Sequence, residues 1–175
     1  MRFTLLSLIV CFLSTTAFAQ IPKNDEKQFE YYGENSVRRA GSGDLQKRLT
    51  KWANTYFDNA KVEVLVDDST ERYVEVNVSQ PMVEAYFGVK RKHEDRLLKY
   101  HIKFDAERKD YSYKINRFEY QAKEIDHKGE EEQLNGYLSD LKTAARKSLE
   151  EEVHNMMMAL IESFEEATET ELEEE

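Results

Sequence analysis

The sequence predicts an α+β fold: an antiparallel sheet of four to five strands with one face covered by helices, and a long C-terminal helix. Three observations predict it. Between Lys61 and Tyr120 the apolar residues recur at every second position, in β-branched and aromatic runs divided by short polar turns. The intervening positions are polar, which suits an antiparallel sheet that keeps one face in water. The stretches before and after this region instead space their apolar residues three and four apart, as helices do.

Taken in order, residues 1–19 of the 175 read as an export signal. Arg2 precedes the apolar run LLSLIVCFL, and Ala17-Phe18-Ala19 gives the small-x-small pattern of a cleavage site. The run is shorter than the ~20 residues that cross a bilayer as a helix. The chain is therefore predicted to be exported, periplasmic or extracellular after cleavage near Ala19, with no transmembrane span. Cys11, the single cysteine, falls inside this signal, which leaves the mature chain without disulfide or thiol chemistry. Val10 before it is not the small residue that lipidation would need.

Residues 20–122 are predicted to form the sheet domain. The aromatic run FEYY (Phe29–Tyr32) suggests a short first strand. AGSGD (Ala40–Asp44) supplies turn residues, with Ser42 or Asp44 as the N-cap of a helix. In that helix Leu45, Leu49, Trp52, Ala53, Tyr56 and Phe57 make one apolar stripe. Val62, Val64 and Val66, a DDST turn (Asp67–Thr70), and Val74, Val76 and Val78 then read as a hairpin. Pro81 is predicted to end its second strand, since proline brings no N–H to a ladder. An edge strand at Met82–Gly88 and a charged loop are expected next. A second hairpin joins LLKYHIKFD to YSYKINRFEY, and the apolar phase slips to Phe118 and Tyr120, which predicts a bulge near Arg117.

A polar linker is expected over 123–133, and a long helix over 134–166, where Leu134, Leu138, Leu141, Ala145, Leu149, Val153, Leu160 and Phe164 keep helical spacing. Its N-terminal half is expected to pack on the sheet and its distal half to project or meet a partner. Residues 167–175 read as an acidic, disordered tail.

The net charge of −10 is unevenly distributed. Residues 130–175 hold 15 acids against 3 bases, so the acidity is concentrated in the last third. Nucleic-acid binding needs a basic surface to displace phosphate counterions, and this distribution opposes it.

Trp52 within LTKWANTYF, followed by VEVLVDD, RYVEVNVS, KYHIKFDAERKDYSYKI and RFEYQ, resembles the domain-of-unknown-function 4468 family. The resemblance spans about residues 30–121. It implies a TATA-binding-protein-like fold and an exported protein of Bacteroidota-type bacteria. It implies no activity and brings no catalytic residues. The turn AERKD stands where that family usually has a glycine.

No motif in the sequence carries catalysis. GSG at Gly41–Gly43 precedes a helix but lacks the lysine and spacing of a P-loop. His93, His101 and His127 are scattered, and His154 with Glu150 on one helical face is too small a ligand set for a closed zinc site. Asp67-Asp68 lacks calcium-loop spacing and reads as turn chemistry. No cofactor is expected. Lys99, His101 and Lys103 share the polar side of one strand, with Lys114 on the next. They read first as a solvated face, and otherwise as a site for a small anionic ligand. In the methionine triplet 156–158, core packing competes with a partner groove, for which Met157, Met158 and Ile161 are the candidates. The function predicted from the sequence is a non-enzymatic binding or assembly module of the bacterial envelope. It would contact an envelope protein through the open sheet face or the distal helix. The alternative is an anionic-ligand binder. An envelope hydrolase would need a metal or nucleophile that no motif supplies.

Overall fold

Both periodicities are realised in a computed structural model that describes residues 21–38, 40–57, 61–66, 72–86, 89–125, 131–140 and 143–170. The export segment, the DDST turn, His127 and residues 171–175 lie outside the described residues. In chain order the elements are β1 (Tyr31–Ser36), α1 (Ser42–Tyr56), β2 (Lys61–Val66), β3 (Tyr73–Tyr86), β4 (Val89–Ala106), β5 (Asp110–Ile125), β6 (Glu131–Tyr137), a one-turn 3-10 helix (Leu138–Asp140) and α2 (Thr143–Glu169). The strands form one antiparallel sheet in the order β1-β5-β4-β3-β2, and β6 pairs with the second half of β5.

Alternation decides which face is covered. Val74, Val76 and Val78 of β3, Leu98, Ile102 and Phe104 of β4, and Tyr111 and Ile115 of β5 are buried beneath the two helices. Fully burying such a side chain contributes about 1.5–3 kcal/mol, so this row is what the helices pack on. Trp52 of α1 lies at the centre, its ring 5.7 Å from that of Phe104 and 5.5 Å from that of Phe164 of α2. Its indole Nε1 donates to Ser163 Oγ at 3.0 Å, so the largest core side chain is also satisfied as a donor. Arg48 of α1 donates to the Thr168 carbonyl in the last turn of α2, where unpaired carbonyls and the helix dipole favour a cation.

Several expectations are corrected by these elements. The N-cap of α1 is Gly41, not Ser42 or Asp44; the Asp44 carboxylate instead accepts the Gly41 N–H at 3.1 Å from inside the first turn. Pro81 does not end β3. The described part of β2 pairs only as far as Ser79, so no described strand takes an N–H from Pro81 on that side, and the β3–β4 register shifts between Pro81 and Met82. The charged stretch expected as a loop is the first half of β4, paired to 82–86 of β3. Residues 123–125 prolong β5, and 131–137 form β6, where a linker and the helix start had been expected. The long helix begins at Thr143.

The distal half of α2 does not project. Leu149, Val153, Met157, Leu160, Phe164 and Thr168 are all buried, so the stripe is used along the described helix and into the segment expected as tail. The bulge near Arg117 is present: His101 pairs with Asn116 and Lys99 with Glu119, so β5 spends one residue more than β4 between these pairs. Arg117 carries it at φ 57°. In the AERKD turn Lys109 takes the left-handed backbone that a glycine would adopt more readily, at φ 73°.

Candidate functional site

Register sets the polar face out in three cross-strand rows. Lys61, Ser79, Lys99 and Glu119 form the first, and Glu63, Asn77, His101 and Asn116 the second. Leu65, Glu75, Lys103, Lys114 and Tyr32 form the third. The bulge makes the first two rows possible. Asn116 and Glu119 are three residues apart and would face opposite sides of a regular strand, but the extra residue at Arg117 returns Glu119 to the open face.

The first row and Glu63, Asn77 and His101 of the second, with Arg117, line an open depression of about 470 Å³. The His101 side chain is only 14% exposed, with Nε2 3.7 Å from the Glu75 carboxylate. Asn77 donates to Glu63 at 3.2 Å. Asn116 keeps a buried side-chain oxygen without a hydrogen-bond partner, an acceptor left in a low-dielectric position beside His101 in the ladder. Lys61, Lys99 and Arg117 have no ion-pair partner among the described residues. An acidic chain thus gathers three cations without ion-pair partners among the described residues around one hollow, together with the carboxylates of Glu63 and Glu119.

The four predicted ligand-binding residues separate. Lys99 and His101 line the depression. Lys103 lies in the next row, 3.0 Å from the Asp105 carboxylate and with its ammonium 5.4 Å from the Tyr73 ring centroid. Lys114, also in that row, is 3.9 Å from Glu30. Lys61, Arg117 and Glu119 were missed as site residues. The phase slip had located the bulge, but only the register between strands places Arg117 beside Lys99.

Of the partner candidates on α2, Met157 and Ile161 fall on the stripe that packs against the sheet; Met157 is fully enclosed and Ile161 keeps 7% exposure. Met158, one position on, is 48% exposed. His154 packs beside β1, its Nδ1 hydrogen-bonded to the Tyr31 hydroxyl at 3.0 Å and its ring 5.9 Å from that of Tyr31. Burial pushes the Tyr31 phenol well above its usual value. The N-terminus of α1 is filled by the Asp44 carboxylate, which would repel a phosphate there. Among the described residues no three His, Cys, Asp or Glu side chains converge as a metal site requires. No described helix is long and apolar enough to cross a membrane.

No protein-family model matches the sequence, and no curated protein does. Solved structures do match the fold. The chain is similar to a TBP-like protein from Parabacteroides distasonis, with TM-score 0.65 and 10% identity over 87% of this chain and 99% of that one. It is also similar to a DUF4468 family protein from Bacteroides ovatus, with TM-score 0.62 and 8% identity over 86% of this chain and 91% of that one. At such identities the likeness is one of fold. The chain has the TBP-like fold that the resemblance in its sequence implied, with its antiparallel sheet on one side and its two helices on the other.

Proposed function

We propose that this protein is a non-enzymatic binding module of the bacterial cell envelope, whose open sheet face receives an acidic segment of a protein partner. One observation carries the reading: Lys61, Lys99 and Arg117, without ion-pair partners among the described residues, surround the depression on the face the helices leave uncovered. Arg117 is held there by a backbone conformation that costs a non-glycine residue roughly 1–3 kcal/mol. Glu63 and Glu119 make the hollow mixed in charge, which suits a polar polypeptide with donors and acceptors better than a compact anion. The distal helix drops out of the reading, because its stripe is consumed by the core. The envelope assignment is supported by the export signal read in residues 1–19 and by a fold shared with proteins of Parabacteroides and Bacteroides.

The test is capture from native envelope extract with the intact mature protein and with a Lys99→Glu/Arg117→Glu variant of unchanged melting temperature. A partner held by the first and lost from the second is expected, with retention that weakens as salt is raised. The same partners on both proteins would remove the open face from the proposal.

A small anionic ligand is the second reading, favoured by the same cations and by a depression of about 470 Å³, within the range of small-molecule sites. It predicts that one member of a panel of anionic metabolites raises the melting temperature, and that Arg117→Ala abolishes the rise. Lys103→Ala is expected to leave it intact, because Lys103 is paired with Asp105 outside the hollow.

A further inference from the structure

A second depression, of about 480 Å³, lies between the N-terminal segment, β1, β5 and α2. Its walls include three tyrosines (Tyr31, Tyr32 and Tyr113) together with Met158, Ile161 and the Glu165 carboxylate. Met158 is unusually free for an apolar group of its size, at 48% exposed, whereas the Tyr32 side chain lies on the open face, where its hydroxyl donates to Glu34. The charge is uneven too. Glu30 is engaged by Lys114 at 3.9 Å and by Asn24 at 3.5 Å. Lys23, at the rim, holds its ammonium 4.9 Å from the Phe29 ring centroid. Glu165 accepts the Asn35 amide at 2.7 Å and has no ion-pair partner among the described residues. That neutral donor fixes the carboxylate without cancelling its charge, and the charge is felt by both Tyr111 and Tyr113, whose phenols it helps to raise.

We propose that this depression receives a lysine side chain of a partner protein, the ammonium meeting Glu165 and the Tyr113 ring and the methylene stem lying on Met158 and Ile161. Ring faces attract a cation through their quadrupole, a carboxylate nearby adds charge complementarity, and a flexible thioether adapts to an aliphatic stem. An anion would meet Glu165 directly, and a purely apolar group would leave its charge unanswered. This site is separate from the open-face depression and does not depend on it.

The experiment is a titration of the intact protein, labelled with ¹³C at the methionine methyls, against Nα-acetyl-lysine methylamide. The Met158 signal is assigned with Met158→Leu. A saturable shift of that signal is expected, with the norleucine counterpart about threefold to thirtyfold weaker. Glu165→Gln, which can still accept the Asn35 amide, is expected to reduce lysine binding to the norleucine level. Equal binding of the two ligands, an unaltered titration in Glu165→Gln, or no saturable shift would overturn the proposal. An unchanged titration in Arg117→Glu supports a site independent of the open face, and its loss there would overturn the assignment to this depression.

Discussion

Gly33 stands opposite Tyr113 in the β1–β5 ladder, and a Cβ on it would come within 2.5 Å of the tyrosine hydroxyl and 2.6 Å of the ring. That ring is also packed 4.8 Å from Phe164, so it has little room to retreat. Gly33→Ala is expected to cost about 1–3 kcal/mol, measured by urea denaturation, and Tyr113→Leu in the same chain is expected to recover part of the loss. Nothing in YYGEN marks this glycine, because the constraint arises from a strand some eighty residues later. Arg117 was half legible. Its bulge followed from a slip in alternation, whereas its position beside Lys99 depends on a register between strands that no local pattern encodes. Lys99 and His101 were legible because both lie on one strand, where alternation alone fixes the face. Lys103 and Lys114 shared that face but not the hollow.

At the level of elements, α2 is 27 residues, about 40 Å at 1.5 Å per residue, and its apolar spacing identified most of it. What spacing could not say is how far the sheet extends beneath it. The helix was expected to outreach its support, but the aromatic residues of β4 and β5 meet Phe164 in its distal half. Phe164→Ala is accordingly expected to cost about 3–5 kcal/mol, visible as a lower denaturation midpoint. A loss under about 1 kcal/mol would mean that the distal half is dispensable. β6 was misread for a physical reason. Leu134 and Leu138 fit a helical period, yet the outer edge of β5 beyond β1 offers unpaired backbone groups, and pairing with that edge prevailed over local spacing. Pro81 was misread for a related reason, since its effect depends on whether a neighbour asks for its N–H.

Across the whole molecule the core carries ionisable groups in the form of tyrosines. Burial raises the phenols of Tyr31, Tyr100, Tyr111 and Tyr113 above 10.0, the value they approach when the chain unfolds. Above about pH 10 the unfolded chain loses these protons while the folded one keeps them, so the unfolded state binds fewer protons and stability falls as pH rises. Below that pH the contribution is fully present. Denaturation midpoints are expected to drop between about pH 9 and about pH 11. Tyr100→Phe is expected to flatten that slope at no cost near neutrality, because the Tyr100 hydroxyl is buried without a hydrogen-bond partner. The layered architecture was legible in the sequence because alternation and helical spacing are both properties of short segments. The strand order, by contrast, joins partners from distant parts of the chain. β5 lies between β4 on one side and both β1 and β6 on the other. α2 follows every strand in the chain, so Phe104, Tyr111 and Tyr113 have no roof until this helix has docked. A polypeptide cut before Thr143 therefore has no stable resting point, and its uncovered aromatic row is expected to make it prone to aggregation.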